Sequence, residues 1–397
     1  MVDADKSHGL KPLLLGLTML VTGSANTIAA KWADSMKADN RHFNHPFVQA
    51  ICMFIGELSC LFVYIIARYI QNHRDQTSSY TDEGSESGIP THISEKNPSK
   101  LNPYVFIVPA FCDVLATSIM YISLNLTQVS SFQMLRGAVI IFTGLFSVAF
   151  LKSYLQGFRW LGMGLITVGL VIVGMSDIFD ENSKRDISGI ITGDLLIIIA
   201  QIIVAIQMVV EQKIITEFNA PPLLIVGLEG FFGLAILTFL LFPMYYIKVP
   251  SIFSTNPYHR LEDVFDAFRE VKSNPLIGYA LLLTVISTAF FNFAGISITE
   301  QLSATTRMVL DSVRILLVWL VSFPLFGEHF IPMQLLGFAV LIFGMFIYND
   351  IFFGPYLRQK ILPLVRNNQL AGCCISFWGV ELVTADCNAL IEDSNEQ

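Results

Sequence analysis

The apolar positions of this chain gather into blocks of about 20 residues separated by short polar stretches. Each block is long enough to cross roughly 30 Å of hydrocarbon as a helix. Such blocks fall at 12–30, 47–70, 104–126, 130–151, 160–176, 193–210, 223–247, 276–299, 305–326 and 331–348. The pattern predicts an all-α membrane protein with about ten transmembrane helices. The first block follows Lys6 and Lys11 and has the outline of a cleavable signal peptide, but Ile28 fits a cleavage site poorly and a spanning helix is expected instead.

Between the blocks the polar stretches differ in kind. Residues 71–102 are rich in Ser, Thr, Glu, Asp, Gly, Pro and Asn, bury too little apolar area to fold alone, and are expected to form a disordered loop. In the 248–274 loop, Leu261, Val264, Phe265, Phe268 and Val271 recur at helical spacing. An amphipathic helix over 256–272, begun at Asn256 and Pro257 and lying on the membrane surface, is expected there. With ten spans both termini share one side, and a slight excess of Lys and Arg on that side puts 1–11 and 351–397 in the cytosol.

An internal repeat organises the blocks further. Ser130 opens a span carrying Arg136, followed by Trp160-Leu161-Gly162 and Gly169; Ser303 opens a second one carrying Arg307, followed by Leu335-Leu336-Gly337 and Gly344. Copies separated by an odd number of spans insert upside down relative to each other. Two inverted five-helix repeats are therefore expected, 12–176 and 193–350, joined by the loop 177–192, with a solute site near the midplane between them.

Composition agrees with a bilayer and removes other classes. Of 397 residues, 53% are hydrophobic and only 14% charged, and mean hydropathy is +0.59. The net charge of -8 and the lack of a basic run argue against nucleic acid. The six cysteines show no CxxC spacing, and the histidines lie in loops or at termini, so neither a disulfide framework nor a metal site is indicated, and no cofactor is expected. No Ser/His pair or two-Asp signature suits an intramembrane enzyme.

Candidate chemistry sits where hydrocarbon should be. Ser130, Gln133, Arg136, Gly137, Thr143, Gly144 and Ser147 share one helical face within about 140°, and Ser303, Arg307, Asp311 and Arg314 another within about 80°. An unpaired charge at the membrane centre costs on the order of 2.5–3.5 kcal/mol, so these groups must face one another or water. In one reading Arg136, Arg307 and Arg314 line a cavity and engage an anionic solute while Asp311 orients them; in the other, Asp311 merely neutralises Arg307 and Arg314. Gln133, Asn292 and Asn26 add hydrogen-bonding groups that suit either cavity lining or helix packing. Glu57, Asp113 and Glu229 have no basic neighbour on their own helices, which makes them candidates for binding and releasing a coupling proton, or else partners of an Arg on another helix. In the tail, Asp386 with Leu390 and Ile391 matches the acidic dileucine pattern of endolysosomal sorting signals.

The strings Ser130-Ser131-Phe132-Gln133-Met134-Leu135-Arg136-Gly137-Ala138, Gly193-Asp194-Leu195-Leu196 and Ala304-Thr305-Thr306-Arg307-Met308-Val309-Leu310-Asp311-Ser312 resemble the drug/metabolite transporter superfamily. Thr22-Gly23-Ser24, Ala30-Lys31-Trp32-Ala33-Asp34 and Phe290-Phe291-Asn292-Phe293-Ala294-Gly295-Ile296 narrow the resemblance to the F branch of solute carrier family 35, over about 12–350. The resemblance implies ten helices in two inverted repeats, alternating access and residence in an intracellular membrane, lysosomal, with a mitochondrial or Golgi/ER membrane as the alternative. The Phe-Tyr-Asn-Asn and Gly-Ala-Leu-Asn-Lys signatures of its nucleotide-sugar carriers do not occur here. The organisation is also similar to that of parasite vacuolar drug-resistance transporters, which points to peptide-like or amine solutes. A secondary active transporter of a small organic solute is the leading expectation. The alternative is a membrane scaffold that regulates survival or trafficking through membrane protein partners.

Overall fold

The computed structural model describes residues 2–38, 41–78, 102–126, 132, 134–151, 156–178, 187–218, 220–250, 258–302, 304, 306–308, 310–311, 313–314, 317–318, 321 and 332–348. The described chain is nearly all helix. In order it forms α1 (Val2–Ser35), α2 (Pro46–Ser78), a turn of 3-10 helix (Pro103–Phe106) leading into α3 (Ile107–Leu126), α4 (Val139–Leu151) entered through a 3-10 turn at Arg136–Ala138, α5 (Gly157–Ile178) and α6 (Ile187–Phe218). Then come α7 (Pro222–Tyr246), α8 (Val264–Ser273), α9 (Pro275–Gln301) and α10 (Pro332–Tyr348). The described residues of the 304–321 segment are all helical, and Leu302 before it is a turn. Prolines set several of the starts, since a helix's first turn has no use for the missing N–H: Pro46, Pro222, Pro275 and Pro332 each open a helix.

Seven of these helices are long and apolar enough to cross a membrane, and two shorter apolar ones, Arg136–Leu151 and Pro332–Tyr348, accompany them. Their outer faces carry exposed Phe62, Ile66, Phe239, Phe242, Leu282 and Phe290, a surface that makes sense only against lipid. The helices run past the ends of the apolar blocks. α1 already starts at Val2, α2 continues to Ser78 and α6 begins at Ile187, so parts of the expected N-terminal tail, 71–102 loop and inter-repeat loop are helical. Polar helix ends are satisfied by water outside the hydrocarbon, so hydropathy marks the membrane and not the helix.

The most extensive packing joins α5 to α10, α1 to α9, α3 to α6 and α2 to α7, with α9 on α2, α6 on α4 and α7 on α3 next. Val139, Ile140, Met163, Ile166, Leu341 and Met345 form one core between α4, α5 and α10. At the opposite face from α8, Phe106, Ile214, Ile215, Ile225 and Ile296 pack into a second.

α8 begins later than the Asn256-Pro257 start that the sequence suggests, because Asp263 caps it: its side chain accepts from the Phe265 and Asp266 amides. The orientation is also unusual. Its polar residues Asp266 and Glu270 are buried against the protein, and Phe265 and Phe268 are exposed. The buried side meets a short hairpin, Lys37–Ala38 paired with Arg41–His42, and the start of α2. Arg41 Nη1 donates to Asp266 Oδ2 at 3.2 Å, and His45 stands 2.7 Å from Glu262 and 3.5 Å from Glu270. Burial alone would lower the His45 pKa, but the hydrogen bonds to Glu262 and Glu270 outweigh it and push the imidazole up to about 9.

Candidate functional site

A cavity of about 500 Å³ opens at the end of the bundle where α1 finishes. Exposed Asp34 and Ser35 stand at its mouth, Lys31 and Gln49 follow, and Arg136 and Arg314 line its depth. Thr117 and Tyr121 of α3 and Phe291 of α9 complete the wall on other sides. The second core, with buried Phe106, Ile214 and Ile296, fills the opposite end of the bundle.

Arg314 is fixed in place. Its Nε and Nη2 donate to the two oxygens of Asp311 at 2.6 and 3.1 Å, its Nη1 donates to Thr27 Oγ1 at 2.7 Å, and its guanidinium lies 5.2 Å from the centre of the Phe291 ring. Gly23 gives it room, because a Cβ there would collide with its Cδ and with Phe291. Arg136 enters from the 3-10 turn ahead of α4, and among the described residues it forms no ion pair. The sequence places Arg136 and Arg314 on different helices; the fold brings both to one wall.

Asn26 also lines this cavity, where its Oδ1 accepts from Thr288 at 3.1 Å and Ser287 at 3.4 Å. Arg307 does not. It points away, and its Nη1 donates to Glu211 Oε2 at 2.6 Å in a buried ion pair. Gly295 permits this, since a Cβ there would stand 2.8 Å from Arg307 Nε. Glu57, Asp113 and Glu229, from α2, α3 and α7, all interact electrostatically with Glu211 and Arg307. Asn292 belongs to this second group, its Nδ2 donating to Glu57 Oε1 at 2.5 Å. Asp113 accepts from Thr117 Oγ1 at 3.3 Å, which connects the group to the cavity wall. Gln133, Asp386, Leu390 and Ile391 lie outside the described residues.

Three participants were not singled out by the sequence. Glu211 lies one position beyond the sixth apolar block, yet Gln207 donates to it at 3.0 Å, an i, i+4 pair that helical spacing can reveal. Lys31 and Asp34 carry no such signal, because their role comes from standing at the cavity mouth. Away from both groups, His45, Asp266 and Glu270 bring ligand atoms within 4.8 Å of one another, a spacing that could hold a metal ion, but Arg41 already pairs with both carboxylates.

The model of the Triose-phosphate Transporter family matches residues 36–349, most of the chain. The chain belongs to that family. Solute carrier family 35 member F6 of mouse is 50% identical over 346 residues, covering 85% of this chain and 88% of the mouse protein. The human protein of the same name is 50% identical over 85% of this chain and 89% of its own length. An uncharacterized protein of Schizosaccharomyces pombe is 30% identical over 85% of this chain and 98% of its length. The resemblance to the F branch of solute carrier family 35 drawn from the sequence therefore holds. A solved crystal structure superposes with a TM-score of 0.52 at 12% identity, covering 86% of this chain and 97% of that one, and shares the fold. The chain is thus a multi-pass membrane protein of a solute-transporter family and not an enzyme.

Proposed function

We propose that the chain is a secondary active transporter of a small organic anion, moving it across an intracellular membrane by alternating access. The observation that carries this reading is the placement of two guanidinium groups, Arg136 and Arg314, on one wall of a cavity of about 500 Å³. That volume falls within the usual range for sites of small organic ligands. Arg314 pairs with Asp311, whereas Arg136 forms no ion pair among the described residues and only shares the field of Asp311, so an anionic solute would supply the missing charge. Paired arginines suit phosphate or carboxylate, which they grip through parallel N–H donors. The name of the family, a triose-phosphate carrier, supports a phosphate-bearing solute.

Two inverted five-helix repeats supply the alternation. Exchanging α1 with α6, α2 with α7, α3 with α9 and α5 with α10 converts the α1–α9 packing into the α6–α3 packing, and the α2–α9 packing into the α7–α3 packing. The α2–α7 and α5–α10 pairs map onto themselves. A helical bundle with this symmetry can rock between a state open at the α8 face and its counterpart related by a pseudo-two-fold axis in the membrane plane. The acidic dileucine pattern Asp386, Leu390, Ile391 supports residence in an endolysosomal membrane.

The test is uptake by proteoliposomes over a panel of sugar phosphates, carboxylates and amines. Wild-type protein is expected to accumulate one class of anion, and Arg136→Gln to lose that uptake. Equal behaviour of wild type and variant for every solute overturns the reading.

A further inference from the structure

The group around Arg307 is out of charge balance. Glu57, Asp113, Glu211 and Glu229 meet there from four helices, and Arg307 is the one cation among the described residues that interacts with all of them. That cation is committed to Glu211 at 2.6 Å. Glu57 and Glu229 are more than nine-tenths buried, at 5% and 8% exposure. Glu57 Oε2 and Glu229 Oε1 have no hydrogen-bond partner among the described residues. Gly230, next to Glu229, packs α7 against α2 so tightly that a Cβ on it would stand 2.5 Å from that of Glu57, and Glu57 and Glu229 interact electrostatically. An ionised carboxylate left dry and unpaired costs several kcal/mol, and a proton on the bare oxygen removes most of that cost.

We propose that Glu57 and Glu229 form a proton-binding site whose occupancy is linked to the state of the solute cavity. The chemistry is simple protonation, in which each carboxylate takes one proton to become a neutral carboxyl group and gives it back when water reaches it. A metal cation fits less well. Cations of sodium or calcium type draw several oxygens into one shell, and among the described residues no three carboxylates of this group bring oxygens within 4.8 Å of one another. The groups that face the site are Asp113 from α3, Glu211 from α6, Asn292 from α9 and Arg307 from the 304–321 segment, with the Cys60 and Cys112 thiols at its edge.

Three routes connect it to the cavity. Asn292, bonded to Glu57, follows Phe291, which lies beside Arg314. Asp113 accepts from Thr117, which lines the cavity. Arg307 and Arg314 sit two turns apart on one helix, one in each group, about 10 Å of helix between them. The site also lies between the cavity and the packed core of Phe106, Ile214 and Ile296, where a second opening must form if the transporter alternates. Hydration of that end would let the protons leave there. This last step rests on the transport reading; proton binding itself does not.

The experiment is chosen accordingly and uses no solute. Purified full-length protein, reconstituted on a solid-supported membrane, is subjected to pH jumps at constant sodium, and the displaced charge is read. Wild-type protein is expected to give a transient current, and Glu57→Gln/Glu229→Gln to give less than half of its charge. An undiminished signal in the double variant overturns the proposal, and so does a current evoked by sodium jumps at constant pH that the double variant lacks. Should the double variant fail to fold, infrared spectroscopy of the wild type decides: a carbonyl band of protonated carboxyl groups at neutral pH is expected, and its absence overturns the proposal. Proton binding without any uptake in the solute panel would leave this site standing and remove the transport reading alone.

Discussion

Gly169 and Gly337 put the backbones of α5 and α10 in contact: a Cβ on the first would stand 2.8 Å from the carbonyl oxygen of the second, and a Cβ on the second 3.0 Å from that of the first. Gly344 repeats the relation, 3.0 Å from the carbonyl oxygen of Gly162. The two contacts run in opposite directions along the pair, so the helices are antiparallel. The two Gly pairs from which the sequence reading expects a repeat thus meet each other across the seam. Small residues allow such backbone approach in membranes, where packing and not the hydrophobic effect holds helices together.

Substituting Gly169→Ala should therefore lower the stability of the purified protein, by about 1–3 kcal/mol, through overpacking of this seam. Gly164, on the same helix, has no atom of the described residues within 4 Å of a Cβ placed on it. Gly164→Ala should leave the melting temperature unchanged or slightly raised, because alanine is the better helix former by about 1 kcal/mol. Thermal melting of the two variants in the same detergent checks the contrast.

The Asp311–Arg314 pair predicts a non-additive pair of variants. Asp311→Asn leaves a buried guanidinium without its carboxylate, a loss of about 3–5 kcal/mol. The double variant Asp311→Asn/Arg314→Gln removes both charges and should recover much of that stability. A double variant no more stable than Asp311→Asn alone would mean that the pair contributes little to folding.

Arg136 should act on solute affinity rather than on folding, because its guanidinium faces the cavity and forms no ion pair among the described residues. Losing one charged hydrogen bond to an anion costs about 1.5–3 kcal/mol, or roughly 10- to 150-fold in affinity. Arg136→Gln should show this loss with an unchanged melting temperature. Competition by the transported anion in a binding assay measures the first quantity and melting the second.

The clasp between His45 and α8 gives a pH dependence of known sign. The folded imidazole titrates at about 9, above its ordinary 6.5. Its stabilisation is fully present below about 6.5 and fades as the pH rises through about 9. The shift corresponds to about 3 kcal/mol. Hydrogen exchange of the α8 amides should thus speed up between neutral pH and pH above about 9 beyond the chemical effect, and His45→Ala should show fast exchange already at neutral pH.

Much of the architecture was legible in the chain. The apolar blocks at 47–70, 223–247 and 276–299 return as α2, α7 and α9, since bilayer thickness and the need to satisfy every backbone group leave helix length little freedom. Of the polar positions the sequence singles out, Arg136, Asn26 and Arg314 line the cavity. Their grouping was not legible. Arg307 and Arg314 share a helix face in sequence, yet the first turns to Glu211 and the second to Asp311 and Thr27.

The sequence by itself determined that this chain lives in a membrane, roughly where its apolar spans lie and which charges must be reconciled with hydrocarbon, because those follow from local composition and a fixed helical rise. Only the tertiary structure decided which charge answers which. An ion pair such as Arg307 with Glu211 depends on helices packed from distant parts of the chain, and distance in sequence carries no information about distance across the bundle. The same reason hid the inward-facing acidic side of α8: a helix's apolar face is written in its sequence, but whether that face meets protein or lipid is settled by its neighbours.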